Sequence, residues 1–108
     1  MAVETVIETR AFDRAARNAG MTDAERTSAI LMIAADPEVG EVIVGTGGCR
    51  KVRIAGRGHG KSGGYRVITF YARPEGVYLL TVFGKGEKTS LTGAEKNALA
   101  QLTAALKG

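Results

Sequence analysis

At 108 residues with a single cysteine, the chain has room for one domain around one hydrophobic core and no internal disulfide. Its apolar fraction of 44% and charged fraction of 24% are those of an ordinary soluble globular domain. No apolar run reaches membrane-spanning length, and the N-terminal stretch carrying Glu4 and Glu8 is no signal peptide, so the cytoplasm is the expected compartment and no membrane partner is expected.

The net charge of +4 conceals a polarity. Residues 1–41 hold eight acids against four arginines, giving −4, and residues 42–108 hold eleven bases against three acids, giving +8. An acidic front half therefore precedes a strongly basic back half.

Residues 3–9 are rich in β-branched side chains and predict a short strand. Residues 10–19 predict a first helix, with Phe12, Ala15, Ala16 and Ala19 at helical spacing, stopped by Gly20. Thr22-Asp23-Ala24-Glu25 has the spacing of a capping box and opens a second helix that runs to about Ala35, before Asp36-Pro37. Residues 41–44 read as a short extended piece. Along residues 50–55, Arg50, Val52 and Ile54 alternate with Lys51 and Arg53, which predicts a strand with two cations on one face. Residues 65–72 and 77–83 are apolar on both faces, so both sides of the sheet should be covered. Arg73-Pro74-Glu75-Gly76 between them predicts a tight antiparallel connection. Thr92-Gly93-Ala94-Glu95 is a second capping box, opening a helix toward Lys107 with Ala94, Ala98, Leu99, Leu102, Ala105 and Leu106 on its apolar side. The order is that of an α+β domain: strand, helical hairpin, antiparallel sheet, C-terminal helix.

The segment with most chemical content lies between Val42 and Pro74. It carries seven bases, Arg50, Lys51, Arg53, Arg57, Lys61, Arg66 and Arg73, and no acid. Such a one-signed, glycine-rich stretch fits a polyanionic partner, nucleic acid first among them. Ala55-Gly56-Arg57-Gly58-His59-Gly60-Lys61-Ser62 mimics a phosphate loop, but that chemistry needs a helix directly after Lys-Ser. Here Gly63-Gly64 leads into a strand pattern, which predicts a loop between two antiparallel strands. Cys49 and His59 alone cannot supply a four-ligand zinc site, so no metal or other cofactor is expected. Cys49 reads as a small buried residue and His59 as an exposed loop side chain.

In an antiparallel meander, Lys51, Arg53, Arg57, Lys61, Arg66, Lys85 and Lys88 converge on one rim. A cationic rim suits RNA cleavage through the 2′-hydroxyl, because the ribose brings its own nucleophile. The protein then aligns that hydroxyl, neutralises charge growing on the phosphate and moves protons. Plain phosphate binding is the alternative that spacing alone leaves open. Tyr65 either stacks on a base or packs within the sheet.

Three blocks in this order carry a family resemblance: Gly45-Thr46-Gly47-Gly48-Cys49-Arg50-Lys51-Val52-Arg53-Ile54-Ala55, Gly60-Lys61-Ser62-Gly63-Gly64-Tyr65-Arg66-Val67-Ile68, and the run from Tyr78 through Phe83-Gly84-Lys85-Gly86-Glu87-Lys88 to Thr92. Over about residues 40–96 the chain resembles the RelE/HigB-like toxins of bacterial toxin–antitoxin modules, and among them the HigB-type branch with a long glycine loop. The resemblance implies a RelE-like fold and a metal-independent endoribonuclease, or mRNA interferase, that enters the ribosomal A site, cuts mRNA by 2′-hydroxyl attack and halts translation. It implies a cognate antitoxin, the ribosome and mRNA as partners, with DNA engaged only through the antitoxin. It assigns transition-state stabilisation to Arg66, further catalytic roles to Lys85 and Lys88, and RNA binding to Lys51 and Arg53; Arg57, His59, Lys61 and Tyr65, read from the rim and loop themselves, are the further RNA-binding candidates. Two positions depart from RelE itself: Gly86 replaces a second arginine, and Leu91 and Thr92 stand where a catalytic tyrosine is found. The proton acceptor is thus unassigned, with His59 and Lys61 as the loop candidates. The ParE-like branch of the superfamily acts on DNA gyrase, so a gyrase-directed toxin and a non-catalytic nucleic-acid-binding module are the alternative readings.

Overall fold

The structure is a computed structural model that describes residues 3–55, 64–84 and 90–107. Threonines start its helices. The Thr9 hydroxyl accepts from the Phe12 amide at 3.1 Å and donates to the Leu79 carbonyl at 2.8 Å, which opens helix α1 (Arg10–Asn18) and fixes it to the sheet in one contact. Thr22 and Glu25 form the expected capping box, at 3.1 and 2.8 Å, ahead of α2 (Asp23–Ala35). Thr92 and Glu95 repeat it, at 3.1 and 2.8 Å, ahead of α3 (Gly93–Lys107).

Among the described residues five strands make one sheet: β1 (Val6–Glu8), β2 (Glu41–Val42), β3 (Arg50–Ile54), β4 (Tyr65–Ala72) and β5 (Gly76–Gly84), in the spatial order β1-β5-β4-β3-β2. The predicted antiparallel run β3–β4–β5 forms its centre, with Ile54 opposite Tyr65 and Tyr65 opposite Gly84. β2 adds antiparallel to β3, and β1 adds parallel to β5, Val6 opposite Val77. β4 begins at Tyr65, so a strand, not a phosphate-binding helix, follows the glycine run.

The β4 alternation sorts the core into two layers. Val67 turns to the helical hairpin, where it meets Phe12, Ala16, Ile33, Val52, Val77 and Leu79. Ile68 and Phe70 turn to the other side, where they meet Cys49, Leu80, Phe83 and Leu99. Covering both faces explains why these strands read as apolar throughout.

Helix α3 differs from expectation. Leu99 and Thr103 are buried and Leu106 half-buried, whereas Ala94, Ala98 and Ala105 are exposed and Leu102 is 41% exposed. The physical reason is a polar anchor. The buried Thr103 hydroxyl shares its proton between the Thr46 carbonyl at 2.9 Å and the Ala100 carbonyl at 3.0 Å. With that contact, Thr103 rather than Leu102 lies on the buried side of the helix. Gly47 lies against it at φ +77°, and a Cβ there would collide with the Thr103 hydroxyl. Gly47→Ala should therefore cost about 1–3 kcal/mol, read as a lower thermal midpoint with amide protection lost first in α3.

Two acids of the front half are paired locally. Arg26 donates to Asp13 at 2.6 Å and to Glu8 at 2.9 Å, and its guanidinium lies 5.5 Å from the centre of the Phe12 ring. The hydrogen bond from Arg26 holds the Asp13 carboxyl below its ordinary 3.8. A depressed folded value means that Asp13 adds stability above its unfolded pKa and loses it as pH falls through the folded one. Asp13→Asn should thus be less stable than the parent at neutral pH, and the gap should close below about pH 3.8, the unperturbed value, in paired denaturation curves.

Candidate functional site

Strand register brings the sequence-selected cations together. Arg53 stands directly opposite Arg66, and Lys51 directly opposite Ile68 on the same face, the side away from the helical hairpin. All three line one groove of about 420 Å³ together with Val39, Gly40, Glu41 and Val52. Directly opposed like charges destabilise a sheet by roughly 0.2–1 kcal/mol relative to neutral pairs. The register thus sets two guanidinium side chains on one face of neighbouring strands.

Arg66 is half-buried and forms no ion pair among the described residues. Among the described residues no ion pair joins Arg66 to an N-terminal acid, and Glu8 and Asp13 are held by Arg26.

The groove wall is built by the segment before β2. The Arg50 guanidinium donates to the Glu38 carbonyl at 2.9 Å and to the Gly40 carbonyl at 3.1 Å, clamping that segment against β3. Gly40, at φ +93°, sits where a Cβ would lie 2.5 Å from the Lys51 carbonyl oxygen, so only glycine permits this approach. The wall carries one residue that the acid-free window excluded by a single position. Glu41 pairs directly with Lys51 and places a carboxylate in the cationic groove. A second hollow of about 230 Å³ continues past Glu41 and Lys51 to Ser90 and Lys96, adding a lysine from α3 that sequence spacing did not select.

Tyr65 does not join this cluster. Its hydroxyl donates to Glu25 at 3.0 Å on the helical-hairpin side, and it packs against that core. Burial, followed by the hydrogen bond to the Glu25 carboxylate, pushes its phenol above the ordinary 10.0. Neighbouring residues on a strand point to opposite faces, so Tyr65 and Arg66 cannot share a site within the sheet. Arg57, His59, Lys61, Lys85 and Lys88 lie outside the described residues. Cys49 is fully buried, and burial raises its thiol above the ordinary 9.0. Among the described residues no three His, Cys, Asp or Glu gather where they can hold a metal ion, and no helix is long and apolar enough to cross a membrane.

Another hollow, of about 470 Å³, lies at the opposite end of β4 and is lined by Arg50, Phe70, Tyr71, Arg73, Glu75 and Lys107 among others. Its charges are mostly engaged within the chain. Arg50 clamps carbonyls, Arg73 reaches Glu38 at 3.7 Å and stacks 4.8 Å from the Tyr71 ring centre, and Lys107 lies 5.8 Å from that of Phe70.

A five-stranded mixed sheet between a helical hairpin and a C-terminal helix, with a cationic groove at its β2–β3–β4 side, defines the class: an α+β domain of RelE-like fold. Residues 4–108 match the family model described as the RelE toxin of the RelE/RelB toxin–antitoxin system. The chain belongs to the RelE toxin family and is the toxin of a toxin–antitoxin system.

Proposed function

We propose that this toxin is a ribosome-dependent mRNA endonuclease of the HigB-type branch, acting in the cytoplasm by cutting mRNA in the ribosomal A site. The observation that carries the reading is the opposed Arg53–Arg66 pair with Lys51 in one groove. Three cations lining one groove match a phosphodiester whose oxygens gain charge in the transition state. In this reading Lys51 and Arg53 hold the RNA backbone. Arg66 spans two phosphate oxygens with its planar fork as the phosphorus becomes five-coordinate. The ribosome supplies an mRNA strand already unpaired and extended, so a small domain need only align the 2′-hydroxyl with the phosphorus. The products are a 2′,3′-cyclic phosphate and a 5′-hydroxyl. Lys85 and Lys88 are the further catalytic candidates, and Arg57, His59 and Lys61 the further RNA contacts. The cognate antitoxin neutralises the toxin by covering or distorting the same cationic groove, and DNA is reached only through it.

The test uses purified ribosomes programmed with a short mRNA whose A-site codon carries one 2′-deoxynucleotide at the cut position. The all-ribose message should be cut and the substituted message left intact. Cutting of both would rule out 2′-hydroxyl attack.

A further inference from the structure

The groove contains an anion where an anion-binding site would have none. Glu41 is the carboxylate among its lining residues, directly opposite Lys51 on β2 and facing the same hollow as Arg53 and Arg66. It is exposed, and no side-chain hydrogen bond or ion pair holds it among the described residues. A carboxylate only accepts hydrogen bonds and is repelled by phosphate oxygens. An RNA backbone offers one donor, the ribose 2′-hydroxyl, and that hydroxyl adjoins the phosphate it attacks. Two strand spacings and two residues of rise separate Glu41 from Arg66, roughly 12 Å between backbones. An extended arginine, a phosphate with its ribose, and a carboxylate fill that span end to end.

We infer that Glu41 is the catalytic proton acceptor of this toxin and selects RNA by receiving the 2′-hydroxyl; this rests on the endonuclease reading above. The hydroxyl proton passes to the Glu41 carboxylate as the 2′-oxygen bonds to phosphorus. The bond from phosphorus to the 5′-oxygen breaks, and that oxygen takes a proton from water. Glu41 then returns its proton to solvent, so the chain is unchanged at the end of the cycle. The groups facing Glu41 are Lys51 and Arg53 on β3, Arg66 on β4 and Lys96 on α3, all cationic. This assignment needs neither a loop histidine nor the tyrosine that Leu91 and Thr92 displace.

The experiment is single-turnover cleavage of ribosome-bound mRNA by the full chain and by Glu41→Gln, Glu41→Asp and Glu41→Ala. Glu41→Gln should lower the maximal rate about 10²–10³-fold while leaving the half-saturating toxin concentration within threefold. Glu41→Asp should retain part of the rate, and formate should restore Glu41→Ala by at least tenfold. A Glu41→Gln rate within threefold of the parent would overturn the assignment and leave the endonuclease intact. A loss confined to the half-saturating concentration would also overturn it, marking Glu41 as a mere partner of Lys51. No cleavage by the parent chain would remove the endonuclease reading and this one together.

Discussion

Arg66→Ala should reduce mRNA cleavage on the ribosome by about 10²–10³-fold, the usual result of removing one preorganised donor to a developing oxyanion. The chain should stay folded. Arg66 is half-buried, takes part in no ion pair among the described residues, and stands opposite another arginine. Removing it relieves like-charge repulsion, so the thermal midpoint should hold or rise. Loss of activity with equal or greater stability is the signature of a group kept for chemistry rather than for the fold. Arg66→Lys should recover only part of the rate, because an ammonium keeps the charge but lacks the planar fork that spans two phosphate oxygens. Cleavage by Arg66→Ala within a few-fold of the parent would contradict this role.

Phe12→Ala should abolish growth inhibition by the opposite route. Phe12 is fully buried under α1, within the layer formed by Val67, Val77 and Leu79, and its ring carries the Arg26 guanidinium on one side. Truncating a buried phenylalanine costs about 3–5 kcal/mol in lost transfer energy and cavity. The whole stability of a domain this size is about 5–15 kcal/mol, so one substitution consumes a large part of it. The thermal midpoint should fall by about 10–30 °C and the protein should be depleted from cells. Any chain that remains folded should cleave at the parent's rate, since Phe12 faces away from the groove. The two variants share a phenotype and differ in cause, and a melting curve beside a cleavage assay separates them.

Local signals carried the elements. Each capping box occupies four consecutive residues, so Thr22–Glu25 and Thr92–Glu95 were readable from sequence and are present at hydrogen-bonding distance. The two-residue period also placed Lys51 and Arg53 on one face of β3. What sequence did not reveal is non-local. Nothing in residues 3–9 says that β1 pairs parallel with β5, some seventy residues on. The exposed alanine stripe of α3 looked like a buried face because alanine is indifferent to burial. Thr103, on the buried side of that helix, is polar and makes its hydrogen bond to Thr46 across the fold. Glu41 precedes the basic window along the chain, and only the pairing of β2 with β3 sets it opposite Lys51. Tyr65 is different: its adjacency to Arg66 already implied opposite faces, and the structure puts its hydroxyl on Glu25.

The most direct test of the account is to map new mRNA 5′ ends after brief induction of the toxin in bacteria, beside Arg66→Ala and beside a message whose start codon is removed. New 5′-hydroxyl ends inside translated codons, absent from the Arg66→Ala cells and from the untranslated message, are the predicted result. Growth arrest with intact mRNA and gyrase-dependent DNA breaks would contradict it.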